Sequence, residues 1–80
     1  MKEIRLLYFA QLRGARGVTE EHYTTGAAHP RELYGELSQR CGFVLKFEQL
    51  RVAINHAIVG SEATIADGDT VAFLPPVSGG

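Results

Sequence analysis

The feature that most constrains this chain is one amphipathic helix pattern, HPRELYGELSQRCG, in a sequence of only 80 residues. Leu33, Leu37 and Cys41 recur at every fourth position, so they form one apolar side of a helix. Pro30 suits the first helical position, where its missing N–H costs no hydrogen bond. Gly42 suits the position just after the last turn. A single helix of this kind can cover only one face of a β-sheet.

The other apolar segments have the period-two pattern of β-strands. In KEIRLLYF, Ile4, Leu6 and Tyr8 fall on one side; VTEEHYTT predicts a weaker, edge-like strand that pairs with it in the antiparallel direction. RVAIN and AIV flank Asn55-His56 and predict a hairpin. The segment TVAFL predicts the last strand, preceded by a turn at DGD and ended by two prolines.

The connecting segments are less regular. AQLRGARG predicts a short helical turn that stops at Gly14 or Gly17. FVLKFEQL is apolar and compatible with a loop or a short turn. The predicted core combines residues from the strands and the helix: Ile4, Leu6, Tyr8, Val71, Phe73, Leu33 and Leu37.

The order strand, strand, helix, hairpin, strand predicts an α+β domain with a mixed sheet of four or five strands. This is the β-grasp, or ubiquitin-like, fold class, with the main helix packed on one face. We expect residues 1–75 to form the domain and residues 76–80 to form an extended, flexible C-terminal tail.

The sheet face opposite the helix is predicted to be an interface. By strand parity, Leu7, Phe9, Ala72 and Leu74 lie on that bare face, and Ile58 on the hairpin extends it. In a β-grasp sheet the first and last strands are neighbours, so these side chains cluster. A contiguous exposed apolar patch usually marks a binding surface. The nearby charges Arg5, Arg13 and Arg51 are candidates for pairing with acidic residues of a partner.

Composition and charge exclude several function classes. The net charge of −1 argues against nucleic acid as a partner, and no apolar run is long enough for a membrane span. The single cysteine, Cys41, cannot form an internal disulfide and is predicted to be a small buried residue. His22, His29 and His56 have no metal-ligand spacing, so no metal site is predicted. These features together favour a cytoplasmic binding module or subunit.

The last segment, PPVSGG, has physical properties of its own. Pro75, Pro76 and Val77 favour an extended backbone. Gly79 and Gly80 carry no side chains and can therefore enter a narrow channel in another protein. Ser78 is predicted to be a spacer, because no general base is near it in the sequence.

Three segments carry a resemblance to a known family. VAIN followed by AIV, the ending ADGDTVAFLPPVSGG and the opening LLYFAQLR together resemble the small subunits of molybdopterin synthase, the MoaD-type sulfur carriers. The resemblance covers the whole chain and is most specific at DGDTVAFLPPVSGG. One departure is the hairpin turn, which is Asn55-His56 where Asn-Gly is expected.

The resemblance implies a carrier that is not an enzyme on its own. A separate ubiquitin-activating-like enzyme would use ATP to adenylate Gly80, and a sulfur donor would convert it to a thiocarboxylate. The large catalytic subunit would then receive the tail, in a heterotetramer of two small and two large subunits. Sulfur would pass to cyclic pyranopterin monophosphate in molybdenum cofactor biosynthesis. The family's motif places the reacting groups at Gly79 and Gly80 and partner contacts at Pro75, Pro76, Val77 and Ser78, with no permanently bound cofactor.

Two other functions fit the same ending. The first is a sulfur carrier for a different acceptor, such as thiazole or a tRNA base. The second is a ubiquitin-like modifier, whose Gly80 would be joined to lysines of target proteins. These functions differ in what attacks Gly80 after activation.

Overall fold

The computed structural model of the chain describes residues 1–76. These residues form five strands, two helices and one 3₁₀ turn. In chain order they are β1 (Lys2–Tyr8), α1 (Ala10–Arg16), β2 (Glu20–Thr25), α2 (Pro30–Cys41), the 3₁₀ turn Phe47–Gln49, β3 (Arg51–Ile54), β4 (Ala57–Val59) and β5 (Thr70–Leu74).

The strands form one mixed sheet in the order β2-β1-β5-β3-β4. β1 is antiparallel to β2 and parallel to β5, while β3 is antiparallel to both β4 and β5. The first and last strands therefore lie side by side at the centre of the sheet, and β2 is an edge strand. The predicted mixed sheet with one main helix is confirmed.

Both helices end at a glycine that the sequence predicted, and for α1 it is the second of the two candidates, Gly17 rather than Gly14. Gly17 and Gly42 follow α1 and α2 with φ of +86° and +69°, a left-handed conformation that glycine adopts without a Cβ clash. Pro30 begins α2. His29 occupies the position before it without a capping side-chain bond to the helix, so proline rather than a cap defines this helix start.

The core lies between α2 and the sheet face that carries the predicted core residues. All seven of these residues are at most 2% exposed: Ile4, Leu6, Tyr8, Val71, Phe73, Leu33 and Leu37. Leu12, Ala27 and Ile65 are also buried, and the segment after α2 packs Phe43, Leu45 and Phe47 against the same cluster. Cys41 corrects a prediction, because it is half-buried at the last turn of α2 rather than enclosed.

The hairpin turn is held in place by an adjacent turn. Asn55 and His56 have φ of +52° and +71°, the two left-handed residues that a tight hairpin with matched twist requires. The Asn55 amide donates to Asp69 Oδ1 at 3.0 Å, and its Oδ1 accepts from the Thr70 N–H at 3.0 Å. The Asn-His pair therefore forms the turn that Asn-Gly usually forms.

Among residues 1–76, neither helix is both long enough and apolar enough to cross a bilayer.

Candidate partner-binding face

The sheet face turned away from α2 carries a row of apolar side chains. In the strand register, Leu7 of β1 pairs with Ala72 of β5, Ala72 pairs with Ala53 of β3, and Ala53 pairs with Ile58 of β4. Residues in register on neighbouring strands share a face, so these four side chains form a continuous band across the sheet.

Two further side chains enlarge this band at one end of the sheet. Leu74 lies two residues beyond Ala72, so it is on the same face. Phe9 continues the extended backbone of β1, with φ −128° and ψ 149°, and therefore projects to the same side as Leu7. We define the open face by these six residues: Leu7, Phe9, Ala53, Ile58, Ala72 and Leu74.

Exposure within the open face increases from its centre to its ends. Phe9 is 41% exposed and Ile58 is 58% exposed, whereas Leu7 and Leu74 are half-buried. Ala72 and Ala53 are only 7% and 8% exposed. Ala72 therefore lies on the predicted face, but its small methyl group presents little accessible surface there. The open face is therefore shallow at its centre, where the two alanines lie, and is bordered by larger aromatic and aliphatic side chains.

Ala53 was missed by reasoning from the sequence. Its face depends on the pairing of β3 with β5, and RVAI is too short for alternation to distinguish its two sides. The antiparallel register of Ala53 with Ala72 places it on the open face. The motif VAIN contained the residue, but pairing information was needed to orient it.

The open face borders the point where the chain leaves the sheet. An open groove of about 600 Å³ lies there, between residues 48–51 and residues 74–76. Pro75 and Pro76 line this groove, as expected for residues that continue from β5 towards the C-terminus. The predicted site residues Val77, Ser78, Gly79 and Gly80 lie outside the described residues, as does most of the predicted tail of residues 76–80.

Two of the three predicted cations, Arg5 and Arg51, lie on the open-face side of the sheet. Arg5, on the same face, lies 3.3 Å from a Glu20 carboxylate oxygen, and both side chains are more than half exposed. Such an exposed pair contributes little to stability and can exchange partners readily. Arg51 is in register with Leu74 and also lines the groove beside the prolines. Arg13 belongs to the last turn of α1.

The next feature is the placement of the possible metal ligands. Within residues 1–76 no three His, Cys, Asp or Glu side chains are grouped in a way that could hold a metal ion. His29 Nδ1 lies 3.2 Å from the Ala63 carbonyl oxygen, so this ring supports the loop before β5.

Comparison with solved structures assigns this sheet topology to a class of protein. The chain has the β-grasp fold: ubiquitin of Caldiarchaeum subterraneum aligns with a TM-score of 0.62 at 14% identity, covering 99% of this chain and 98% of that one. A putative molybdopterin converting factor subunit 1 from Pyrococcus furiosus aligns more closely. Its TM-score is 0.78 at 26% identity, covering 96% of this chain and 100% of that one.

Within this class, the chain belongs to the ThiS family, whose sequence pattern matches residues 6–80. Molybdopterin synthase sulfur carrier subunits of Haemophilus influenzae and Escherichia coli are each 35% identical to it, over 96% of this chain and 99% of theirs. A chain of the Amycolatopsis orientalis BexX/CysO complex aligns with a TM-score of 0.71 at 27% identity, covering 96% of this chain and 99% of that one.

Proposed function

We propose that this chain is the sulfur-carrier small subunit of a molybdopterin synthase, acting in the cytoplasm. The observation that carries this proposal is the match along nearly the full length of two sulfur carrier subunits at 35% identity. The open face and the adjoining groove lined by Pro75 and Pro76 would supply the docking surface. No side chain of the described part is needed as a catalyst in this role.

The chemistry belongs to Gly80. Its carboxylate oxygen attacks the α-phosphorus of ATP on a separate adenylating enzyme, giving a glycyl adenylate and releasing pyrophosphate. A sulfur donor of the hydrosulfide class then attacks the acyl carbon, displaces AMP and loses its proton. The product is a thiocarboxylate, whose sulfur is nucleophilic for the same reason that thiolates are. ATP is thus consumed by the partner and is not a resident cofactor of this chain.

Sulfur transfer then takes place in the large subunit. The thiocarboxylate sulfur attacks a carbon of cyclic pyranopterin monophosphate and displaces an oxygen substituent of that carbon. Hydrolysis of the resulting thioester returns the Gly80 carboxylate and leaves the sulfur on the pterin as a thiol. Because the dithiolene of molybdopterin contains two sulfurs, two loaded carriers are consumed per product. A heterotetramer of two small and two large subunits would supply one carrier for each large subunit. Gly79, without a side chain, lets the terminal group enter a narrow channel.

The open face holds the carrier on its partners during both reactions. An apolar surface with two alanines at its centre can receive bulky side chains from another protein. Phe9, Leu74 and Ile58 at its ends provide the larger contacts, and aromatic side chains contribute strongly to interface energy. Extended residues from Pro75 through Ser78 would lead the terminus into the partner's active site.

Reconstitution tests this function. The chain is incubated with the large subunit, the adenylating enzyme, ATP, a sulfur donor and cyclic pyranopterin monophosphate, and molybdopterin is quantified. We expect product from the unaltered chain and none from a chain that carries one additional residue after Gly80. Product formation by the extended chain would show that the Gly80 carboxylate is not the reacting group.

A further inference from the structure

One cation stands at the border between the open face and the C-terminal exit. Arg51 is exposed at the start of β3, and its Cα pairs with that of Leu74. It lies on the same strand face as Ala53, so its side chain belongs to the open-face side of the sheet. It also lines the groove that contains Pro75 and Pro76.

The polar groups around Arg51 are already engaged. Glu48 is the acidic residue in the same groove, and its carboxylate accepts a hydrogen bond from Arg31 at 2.8 Å. This contact with Arg31 lowers the pKa of Glu48, so that carboxylate stays charged and paired. Gln49 uses its side-chain oxygen to accept the Lys46 N–H at 2.9 Å. Among residues 1–76, no ion pair includes Arg51.

We propose that Arg51 binds a carboxylate at the rim of the large subunit's apolar surface, and that this contact fixes the orientation in which the carrier docks. The inference rests on the proposed function and adds the chemistry of the partner. An apolar patch with an uncompensated cation at its edge is complementary to an apolar patch with an acidic edge. Because Arg51 stands beside Leu74 and the two prolines, the contact sets the orientation of Pro75 and Pro76 relative to the large subunit.

Arginine is suited to this role for a geometric reason. Its planar guanidinium can donate two parallel hydrogen bonds to one carboxylate, which fixes an angle as well as a distance. Lysine offers the same charge without the planar fork. Arg51→Lys should therefore keep most of the electrostatic attraction but lose part of the control over orientation. Its affinity for the large subunit should lie between that of the unaltered chain and that of Arg51→Gln.

Calorimetric titration against the isolated large subunit provides the test. Arg51→Gln and Arg51→Glu are compared with the unaltered chain at low and at high salt. Arg40→Gln is the matched control, since Arg40 is an exposed arginine on α2, on the other side of the sheet, with its guanidinium 5.5 Å from the centre of the Tyr23 ring. Circular dichroism checks that each variant is folded.

We expect Arg51→Gln to weaken binding about tenfold at low salt, as for loss of one charged hydrogen-bonded contact. Arg51→Glu should weaken binding further, and Arg40→Gln should leave the affinity unchanged. High salt should reduce the differences in affinity between the variants and the unaltered chain. Affinity of Arg51→Gln within twofold of the unaltered chain would overturn this inference alone. No binding by the unaltered chain would overturn the proposed function as well. A dimer of the free chain that depends on Arg51 in sedimentation would assign the contact to a second copy and would also overturn the inference.

Discussion

The phenol hydroxyl of Tyr8 donates a hydrogen bond to Oε2 of Glu21 at 2.5 Å, which links the core to the edge strand. Tyr8 itself is fully buried and makes an edge contact with the Phe43 ring. The same Glu21 carboxylate receives two hydrogen bonds from Arg16, at 2.9 and 2.7 Å, at the end of α1. Three elements, α1, β1 and β2, therefore meet at one carboxylate.

Tyr8→Phe should destabilise the fold without affecting the open face. Burial, and then the neighbouring Glu21 carboxylate, raise the pKa of Tyr8, so its hydroxyl remains a donor at all ordinary pH. Removing this donor should lower the free energy of unfolding by about 1–2 kcal/mol, as for a hydrogen bond to a charged group. Urea unfolding measures the loss. A variant as stable as the unaltered chain would show that the contact contributes nothing.

Glu21 should make stability depend on pH in the acid range. Hydrogen bonds from Arg16, together with the one from Tyr8, lower the pKa of Glu21 against the opposing effect of burial. A carboxylate with a lowered pKa in the folded state stabilises the fold above its unfolded pKa of about 4.5, and this stabilisation is lost as the pH falls through the folded pKa. The Glu21→Gln variant should therefore be less stable than the unaltered chain at neutral pH.

The difference in the free energy of unfolding between the unaltered chain and Glu21→Gln should become smaller as the pH falls below 4.5. Glu48, whose pKa is also lowered, leaves some acid dependence in the variant. Urea unfolding at a series of pH values tests this. A difference that stayed constant from neutral to acid pH would contradict the assignment to Glu21.

The open face should tolerate charge in the free chain but not in the complex. Phe9→Glu and Leu74→Glu place a carboxylate in the band that we expect the large subunit to cover, and an unpaired charge buried there is costly. We expect each to weaken binding at least tenfold, which corresponds to about 1.4 kcal/mol. Titration against the large subunit measures the affinity.

Val44 offers a matched control for these variants. It is an apolar residue that is 95% exposed, and it lies in the loop after α2 rather than on the open face. Val44→Glu should bind normally. Equal affinities for all three variants, with unchanged circular dichroism, would remove the open face from the interface.

Glycine substitutions at the two adjacent residues of the hairpin turn should have opposite effects on stability. His56 has φ of +71°, where a side chain is strained and glycine is not, so His56→Gly should raise stability by up to about 0.5 kcal/mol after the entropy of the unfolded chain is counted. Asn55→Gly should instead lower it by about 1–2 kcal/mol, because the bonds to Asp69 and Thr70 are lost. Thermal unfolding of both variants distinguishes these effects. Equal changes of the unfolding temperature in the same direction for both variants would contradict this account of the turn.

Much of the fold was predictable from local patterns. Strand parity placed Ile4, Leu6, Val71 and Phe73 in the core, because alternation in a strand packed against a helix distinguishes its two faces. Proline and glycine at the ends of α2 marked its limits for steric reasons. The neighbouring β1 and β5, which place Leu7 beside Ala72, followed from the order of elements.

The remainder depends on contacts distant in sequence. The orientation of Ala53 required its register with β5, and the shielding of Ala72 required its neighbours. The packing of Phe43 and Phe47 around Tyr34 could not be read from an apolar loop without periodicity. Arg51 was one of three candidate cations near the patch, and it was singled out only when Arg5 was seen to pair with Glu20 and Glu48 with Arg31. The roles of Gly79 and Gly80 stay predictions.

The most direct test of the carrier role is the intact mass of this chain after incubation with an adenylating enzyme, ATP and a sulfur donor. We predict a mass increase equal to replacement of one oxygen by sulfur, located at Gly80 by fragmentation and absent without ATP. An unchanged mass, with the same enzyme shown to load another carrier, would contradict the proposal that this chain carries sulfur. Conjugates to lysines of other proteins, in place of the thiocarboxylate, would contradict it in favour of a protein modifier.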